Sequence, residues 1–347
     1  MDIKSIHIKN YKSLVDFELR SPKAFSVFVG PNAAGKSNIF ESLEFLALCN
    51  IMNPLDAYKS FGKISDLINK KIMVNHTGIA FKIDLIETHP YFQLNVAKKN
   101  GEEYLFSSFG SNDFGIYDFD DSEQAPKVKN YFSNIVENPS YKHFFNFSRI
   151  FVGKSNLVKR TILDDTKLSI DCSNLEKVLK RLLKDENKKA EIIEWLQLLI
   201  PGFDKIEIIN EPLSGSDNLL IYEKGTNKPF NKNLISDGTF NILSILTAVY
   251  QSDEPQFLCI EEPENGLNPK VIKELVNLFR QKCNEGHFIW LNTHSQTLVS
   301  ELTTEEIILV DKVNGETIVK QVKGMNLHGL RMDEALLTNA LGGGIPW

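Results

Sequence analysis

The chain has 347 residues, of which 42% are hydrophobic and 24% charged, and its formal net charge is −6. These values fit a globular protein with one large domain or two smaller ones, and they exclude a globally basic chain, so any nucleic-acid contact needs a local basic patch. The four cysteines form no C-x-x-C pair and the length needs no disulfide framework, which suits a reducing, cytoplasmic compartment. No run approaches the roughly 18 apolar residues of a membrane span, and Met1-Asp2-Ile3-Lys4 opens no signal core.

In chain order, Ile3 to Val15 alternates apolar and polar residues and predicts a strand. Phe25 to Val29 is a short apolar run, a buried strand that ends at Gly30. Asn38 to Cys49 carries Ile39, Leu43 and Leu46 at helical spacing. From about Asn53 to Asn146 the chain is rich in Phe and Tyr, with turn residues at Asn100-Gly101 and Gly110 to Asp113. This stretch reads as an irregular, β-containing insertion. Its acidic run, Asp118 to Asp121, reads as a solvated loop.

Ser173 to Ile200 predicts one helical segment. Ser173 and Asn174 are its candidate caps, Leu175, Val178, Leu179, Leu182 and Leu183 its apolar stripe, and Pro201-Gly202 its stop. Lys177, Lys180, Arg181, Lys184 and Lys188 form a basic row on its other side, and a solvated helix face ranks above a DNA-binding one. Leu234 to Tyr250 predicts a second helix, Gln256 to Ile260 and His287 to Leu291 buried strands, and Glu306 to Val322 a hairpin around Asn314-Gly315.

Four segments carry chemistry. Gly30-Pro31-Asn32-Ala33-Ala34-Gly35-Lys36-Ser37 matches G-x-x-x-x-G-K-[ST] in full, after a strand and before a helix. The glycines let backbone N–H groups of the loop, with Asn38 beyond it, wrap phosphate oxygens. The following helix adds its positive end. Lys36 meets the β and γ phosphates of ATP, and Ser37 offers a hydroxyl to Mg2+. A chance glycine turn is the weaker reading, since pattern and context coincide.

Phe257 to Ile260 followed by Glu261-Glu262 is four apolar residues and two acids at a strand end, a Walker B arrangement. It assigns Glu261 to the metal and Glu262 to the attacking water. Leu291-Asn292-Thr293-His294-Ser295 places His294 at the end of a neighbouring strand, where it can reach the γ-phosphate. Ser236-Asp237-Gly238-Thr239 reads as a helix N-cap, and a capped N-terminus with Ser and Gly is also a phosphate site.

Together, in this order, these segments resemble the ABC-type ATPase heads of the SMC and RecF class, and most closely the ATPase half of overcoming-lysogenization-defect nucleases. Asn10-Tyr11-Lys12-Ser13-Leu14 is similar to that family's N-F-[KR]-S-[LF] start. Gly30 to Asn38 resembles its P-loop, Ser236 to Thr239 its signature segment, Glu261 to Pro269 its Walker B and D-loop, and Thr293-His294-Ser295 its switch histidine. The ending Leu341 to Trp347 resembles a tail seen in such proteins. The likeness covers 1–50 and 230–347 well and the middle poorly.

The resemblance implies an α/β P-loop NTPase of ABC-head type, with a mixed sheet flanked by helices. It divides the chain into a head built from 1–52 and 230–347, and an inserted lobe, 53–229. It implies a homodimer whose heads pair head to tail around two ATPs, so that Ser236 and Gly238 face the partner's γ-phosphate and Asn265 to Asn268 cross the interface. Lys12 is expected near the nucleotide. An effector, a separately encoded nuclease or toxin in anti-phage defence, is the expected partner, with no membrane. A RecF-like DNA-repair ATPase and a scaffold with little turnover are the alternatives.

Several features depart from the pattern. Position 261 is Glu where Asp is commoner, and the signature lacks the transporter form L-S-G-G-Q. No Q-loop glutamine is evident, with Phe147 to Lys154 standing in its place. The absence of a long heptad stretch argues against a long-armed SMC protein. The short stretch beyond the head leaves no expected room for a TOPRIM nuclease domain.

Overall fold

The computed structural model describes residues 3–52, 57, 60–62, 64–70, 79–85, 90–99, 102–111, 144–152, 166–210 and 216–344. Asp118 to Asp121, most turn residues of the insertion, and Ile345 to Trp347 lie outside them.

The centre is a six-stranded sheet in the order β14-β13-β3-β12-β11-β7. Its strands are β3 (Phe25–Val29), β7 (Phe147–Phe151), β11 (Phe257–Glu261), β12 (Phe288–Thr293), β13 (Ile307–Val313) and β14 (Glu316–Gln321). Five run parallel, and only β14 pairs antiparallel, on β13. Strands β3, β11 and β12 are buried at every residue. That is why they read as unbroken apolar runs rather than alternating ones.

Side chains still alternate between faces. Phe25, Val27, Val29, Leu258, Ile260, Ile289 and Leu291 join one core; Phe28, Phe257, Cys259, Phe288 and Trp290 join the other. The second core holds helix α1 (Lys36–Ile51) and the antiparallel sheet β2-β1-β4, formed by β1 (Ile3–Tyr11), β2 (Leu14–Arg20) and β4 (Ala80–Leu85). Trp290 sits at its centre, its ring 4.8 Å from that of Phe257 and 5.3 Å from that of Phe28. The first core holds helices α3 (Leu175–Leu182), α4 (Glu186–Leu199), α5 (Asp237–Tyr250) and α6 (Pro269–Asn284). The mixed α/β sheet flanked by helices is thus the head fold expected from the motifs.

The remaining elements are short helices α2 (Ile64–Leu67), α7 (Gln296–Ser300) and α8 (Met332–Leu337), a hairpin β5 (Pro90–Lys99) with β6 (Glu102–Ser111), and a small antiparallel sheet of β8 (Phe203–Asn210), β9 (Asp217–Glu223) and β10 (Phe230–Asn231). No helix among the described residues is long and apolar enough to cross a membrane.

The structure differs from the sequence reading at several points. The expected strand from Ile3 to Val15 is two strands, turned at Lys12, which has φ 47°. The segment from Ser173 to Ile200 is two helices, because Asp185 caps a new start by accepting from the N–H groups of Asn187 and Lys188. Neither predicted cap closes α3 by its side chain. Asn174 is the N-cap residue without a side-chain cap bond, and its Oδ1 accepts instead from Ser169. The second helix begins at Asp237 rather than Leu234, with Ser236 as N-cap. Strands β4 and β7, from within 53–229, pair with strands of the head.

The hairpin turn lies at Asn314-Gly315, where both residues have positive φ, 52° and 81°, as a two-residue hairpin of this type requires.

Candidate nucleotide site

In a parallel sheet the loops after the strands emerge at one edge, and ligands bind there. Here β3 leads into the P-loop, β11 into the paired acids, β12 into His294 and β7 into Val152. Four segments far apart in sequence therefore converge.

The P-loop depends on two local constraints. Ala33 and Gly35 take positive φ, 62° and 104°. A Cβ on Gly35 would lie 1.9 Å from Thr317 Oγ1, and one on Gly30 would lie 2.0 Å from the carbonyl oxygen of Val310. The loop is braced from behind by a buried polar cluster. Thr317 Oγ1 donates to the Ala34 carbonyl at 2.8 Å and lies 2.6 Å from Ser13 Oγ, which accepts from Asn38 Nδ2 at 2.7 Å. Lys36 donates to the carbonyls of Gly30 and Pro31, at 2.7 and 2.9 Å. Burial lowers its pKa, against the raising pull of Glu262, Glu264 and Glu261.

Ser37 Oγ donates to Glu261 Oε2 at 2.5 Å, and Asn292 Nδ2 reaches the same oxygen at 3.2 Å. The other oxygen, Oε1, accepts from Arg149 Nε at 2.6 Å, and Arg149 Nη1 donates to Glu44 on α1 at 2.8 Å. Burial opposes the Arg149 charge, yet Glu261, Glu44 and Glu41 outweigh it and push its pKa up.

Glu262 has φ 48°, a conformation that costs free energy in a residue other than glycine and is frequent at functional sites. Its N–H donates to the backbone carbonyl of Asn292 at 3.0 Å, and its Oε2 accepts from Asn265 Nδ2 at 3.2 Å. His294 Nδ1 stands 3.6 Å from Glu262 Oε1, with the His294 side chain 42% exposed. Glu264 Oε1 accepts from Thr293 Oγ1 at 2.5 Å, and burial raises the Glu264 pKa.

Lys12, Ser236 and Gly238 each have contacts within the chain. Lys12 pairs with Glu41 of α1. Ser236 caps α5 by accepting from the Thr239 N–H at 3.2 Å. Gly238 has a packing reason to be glycine, since a Cβ there would meet the Gly266 carbonyl at 2.6 Å. Asn241 Nδ2 donates to the Asn265 carbonyl at 2.7 Å, which ties α5 to the loop after the acids. Among the described residues, nothing on Ser236 or Gly238 hydrogen-bonds to the P-loop of the same chain.

The basic row is largely committed to the protein itself. Lys180 pairs with Asp217, Lys188 with Asp253, and Arg181 donates to the carbonyls of Thr166 and Gln251.

Sequence reasoning missed Arg149, Glu44, Asn292, Thr317 and Ser13 as site residues. One signal was present. An arginine inside the apolar strand Phe147-Ser148-Arg149-Ile150-Phe151 must find carboxylates if that strand is buried.

The oxygen pair Ser37–Glu261 has the donor chemistry of a magnesium site. Among the described residues no group of three or more His, Cys, Asp or Glu could hold a metal by itself.

A DNA replication and repair protein RecF of Lactococcus lactis is 23% identical over 75% of this chain and 74% of its own length. RecF of Clostridium botulinum is 27% identical over 157 residues, and the match spans only 42% of that relative's length. A crystal structure of an Smc head bound to the C-winged helix domain of ScpA superposes with a TM-score of 0.58, at 16% identity, over 92% of this chain and 98% of that one. The Smc head of Pyrococcus furiosus, with an extended coiled coil, gives 0.55 at 14% identity over 92% of this chain and 96% of that one. A family model described as "AAA domain, putative AbiEii toxin, Type IV TA system" matches residues 25–300. The chain belongs to the family that this model describes, and its fold is that of the Smc heads.

Proposed function

We propose that this chain is an ATP-hydrolysing switch whose heads dimerise around ATP and control an effector. The observation that carries the reading is the meeting of Lys36, Ser37, Glu261, Glu262 and His294 at one sheet edge. Lys36 binds the β and γ phosphates. Ser37 and Glu261 would hold the metal, and Glu262 orients and deprotonates the attacking water. His294, beside Glu262, touches the γ-phosphate. Bound Mg2+ would offset the charge of the transferring group. Ser236 and Gly238, at the N-terminus of α5, complete the partner's site across the dimer. Lys12 reaches the nucleotide by leaving Glu41.

The finer reading is an ATPase of overcoming-lysogenization-defect type in anti-phage defence, in the cytoplasm, with a separately encoded nuclease or toxin. The family description, which names a putative toxin of a toxin–antitoxin system, supports the defence part of this reading. The RecF relatives favour a second reading, a DNA-binding repair ATPase. Steady-state ATP turnover of the full chain tests the core of the proposal. Mg2+-dependent phosphate release that disappears in Lys36→Ala is expected; equal release from both proteins rejects it.

A further inference from the structure

Arg149 has no part in the reading above, yet it is among the most enclosed charges in the molecule, with its side chain 7% exposed. It lies on β7, directly beside Cys259 of β11 in the parallel register, two residues before Glu261. Its guanidinium takes Glu261 Oε1 through both Nε and Nη2, and Glu44 through Nη1. Ser37, Glu41 and Glu44 follow one another at helical spacing of four and three, so they share one face of α1. Arg149 therefore joins the helix that carries Ser37 to the strand that carries Glu261.

Glutamate has one more rotatable bond than aspartate, so its carboxylate can reach a metal in more ways, most of them unproductive. At position 261 each oxygen is assigned. Arg149 holds Oε1, and Ser37 and Asn292 meet at Oε2. The planar fork of arginine can bridge two acids at once, which a lysine ammonium does not match in geometry.

We propose that Arg149 is a positioning residue for metal binding: by holding Glu261 Oε1 and Glu44 together, it presents Oε2 beside Ser37 to the magnesium of the bound nucleotide. This rests on the nucleotide site proposed above. It also accounts for the long acid at position 261, because the extra methylene lets one carboxylate span from Arg149 to Ser37.

The test titrates Mg2+ into the full chain with a fluorescent, non-hydrolysable ATP analogue, and follows the metal-dependent part of the signal. Melting of the metal-free protein is recorded alongside. Substitution of groups that orient metal ligands typically costs about 10–100-fold in metal affinity. Arg149→Met should raise the Mg2+ midpoint by roughly that factor, a greater loss than any in metal-free analogue binding. Arg149→Lys should fall between, and it decides the matter if the methionine variant does not fold. In a Glu261→Asp background, Arg149→Met should shift the midpoint less than in the wild type, because the shorter acid no longer spans to Arg149. A wild-type midpoint in folded Arg149 variants, even with lower melting temperatures, overturns the proposal and leaves the nucleotide site standing. A wild type that shows no Mg2+ effect overturns the site reading and this inference with it.

Discussion

Ser37 donates to Glu261 at 2.5 Å across 224 positions of sequence. The bond forms because β3 and β11 flank β12 in one parallel sheet, so the loop after β3 and the acid that ends β11 emerge at the same edge. Everything proposed for the site depends on that convergence.

The first prediction concerns Lys36. Its ammonium is buried against the loop carbonyls, and among the described residues no other lysine is hydrogen-bonded to them. Lys36→Ala should abolish ATP binding, read by titration with a fluorescent analogue. Affinity within a few-fold of wild type would remove the P-loop assignment.

A second prediction concerns the brace behind the loop. Thr317→Val keeps the side-chain shape and removes the hydroxyl shared by the Ala34 carbonyl and Ser13. Leaving those groups short of a partner should cost about 1–3 kcal/mol and weaken nucleotide binding. Equilibrium urea unfolding measures the first effect, and an unchanged midpoint would show that the cluster is dispensable.

Glu264 gives a pH signature. Burial raises its pKa above the ordinary 4.5, partly opposed by the Thr293 hydrogen bond. The folded chain then binds the proton more tightly than the unfolded chain. The stabilising contribution is present in full below the ordinary value and is lost as pH rises through the folded one. Relative to Glu264→Gln, the wild type should lose stability as pH rises from the ordinary carboxylate value of 4.5 through the raised folded one. A gap between the two proteins that does not change with pH would contradict this.

The basic row should contribute little to nucleic-acid contact. Lys180 and Lys188 are paired with Asp217 and Asp253. Lys180→Gln with Lys188→Gln should cost about 1 kcal/mol for each partly exposed pair, and any DNA binding of the wild type should keep its salt dependence. A slope reduced by about one for each lysine would instead show phosphate contact and strengthen the RecF-like reading.

The P-loop, the paired acids and the strands beneath them were legible because each is local. A glycine pattern, an apolar run and a pair of charges lie within ten residues. The helix break at Asp185 was less visible, because the apolar stripe continues across it and only a single cap marks it. The partners of Lys12, Lys180 and Lys188 were not legible at all. Which carboxylate a lysine meets is decided by how distant segments pack, and Glu41, Asp217 and Asp253 are chosen by that packing. Arg149 lies between these cases. Its place in an apolar strand demanded acidic partners, but only the pairing of β7 with β11 names Glu261.

The central claim is that Glu262 activates water at a nucleotide shared between two heads. The most direct measurement is ATP turnover of Glu262→Gln, with the molar mass in solution followed in the presence of ATP and Mg2+. A positioned general base typically contributes about 100-fold or more. The variant should bind ATP as the wild type does, turn over at least roughly 100-fold more slowly, and accumulate as a dimer. Turnover equal to wild type, with no gain in mass, would contradict the account.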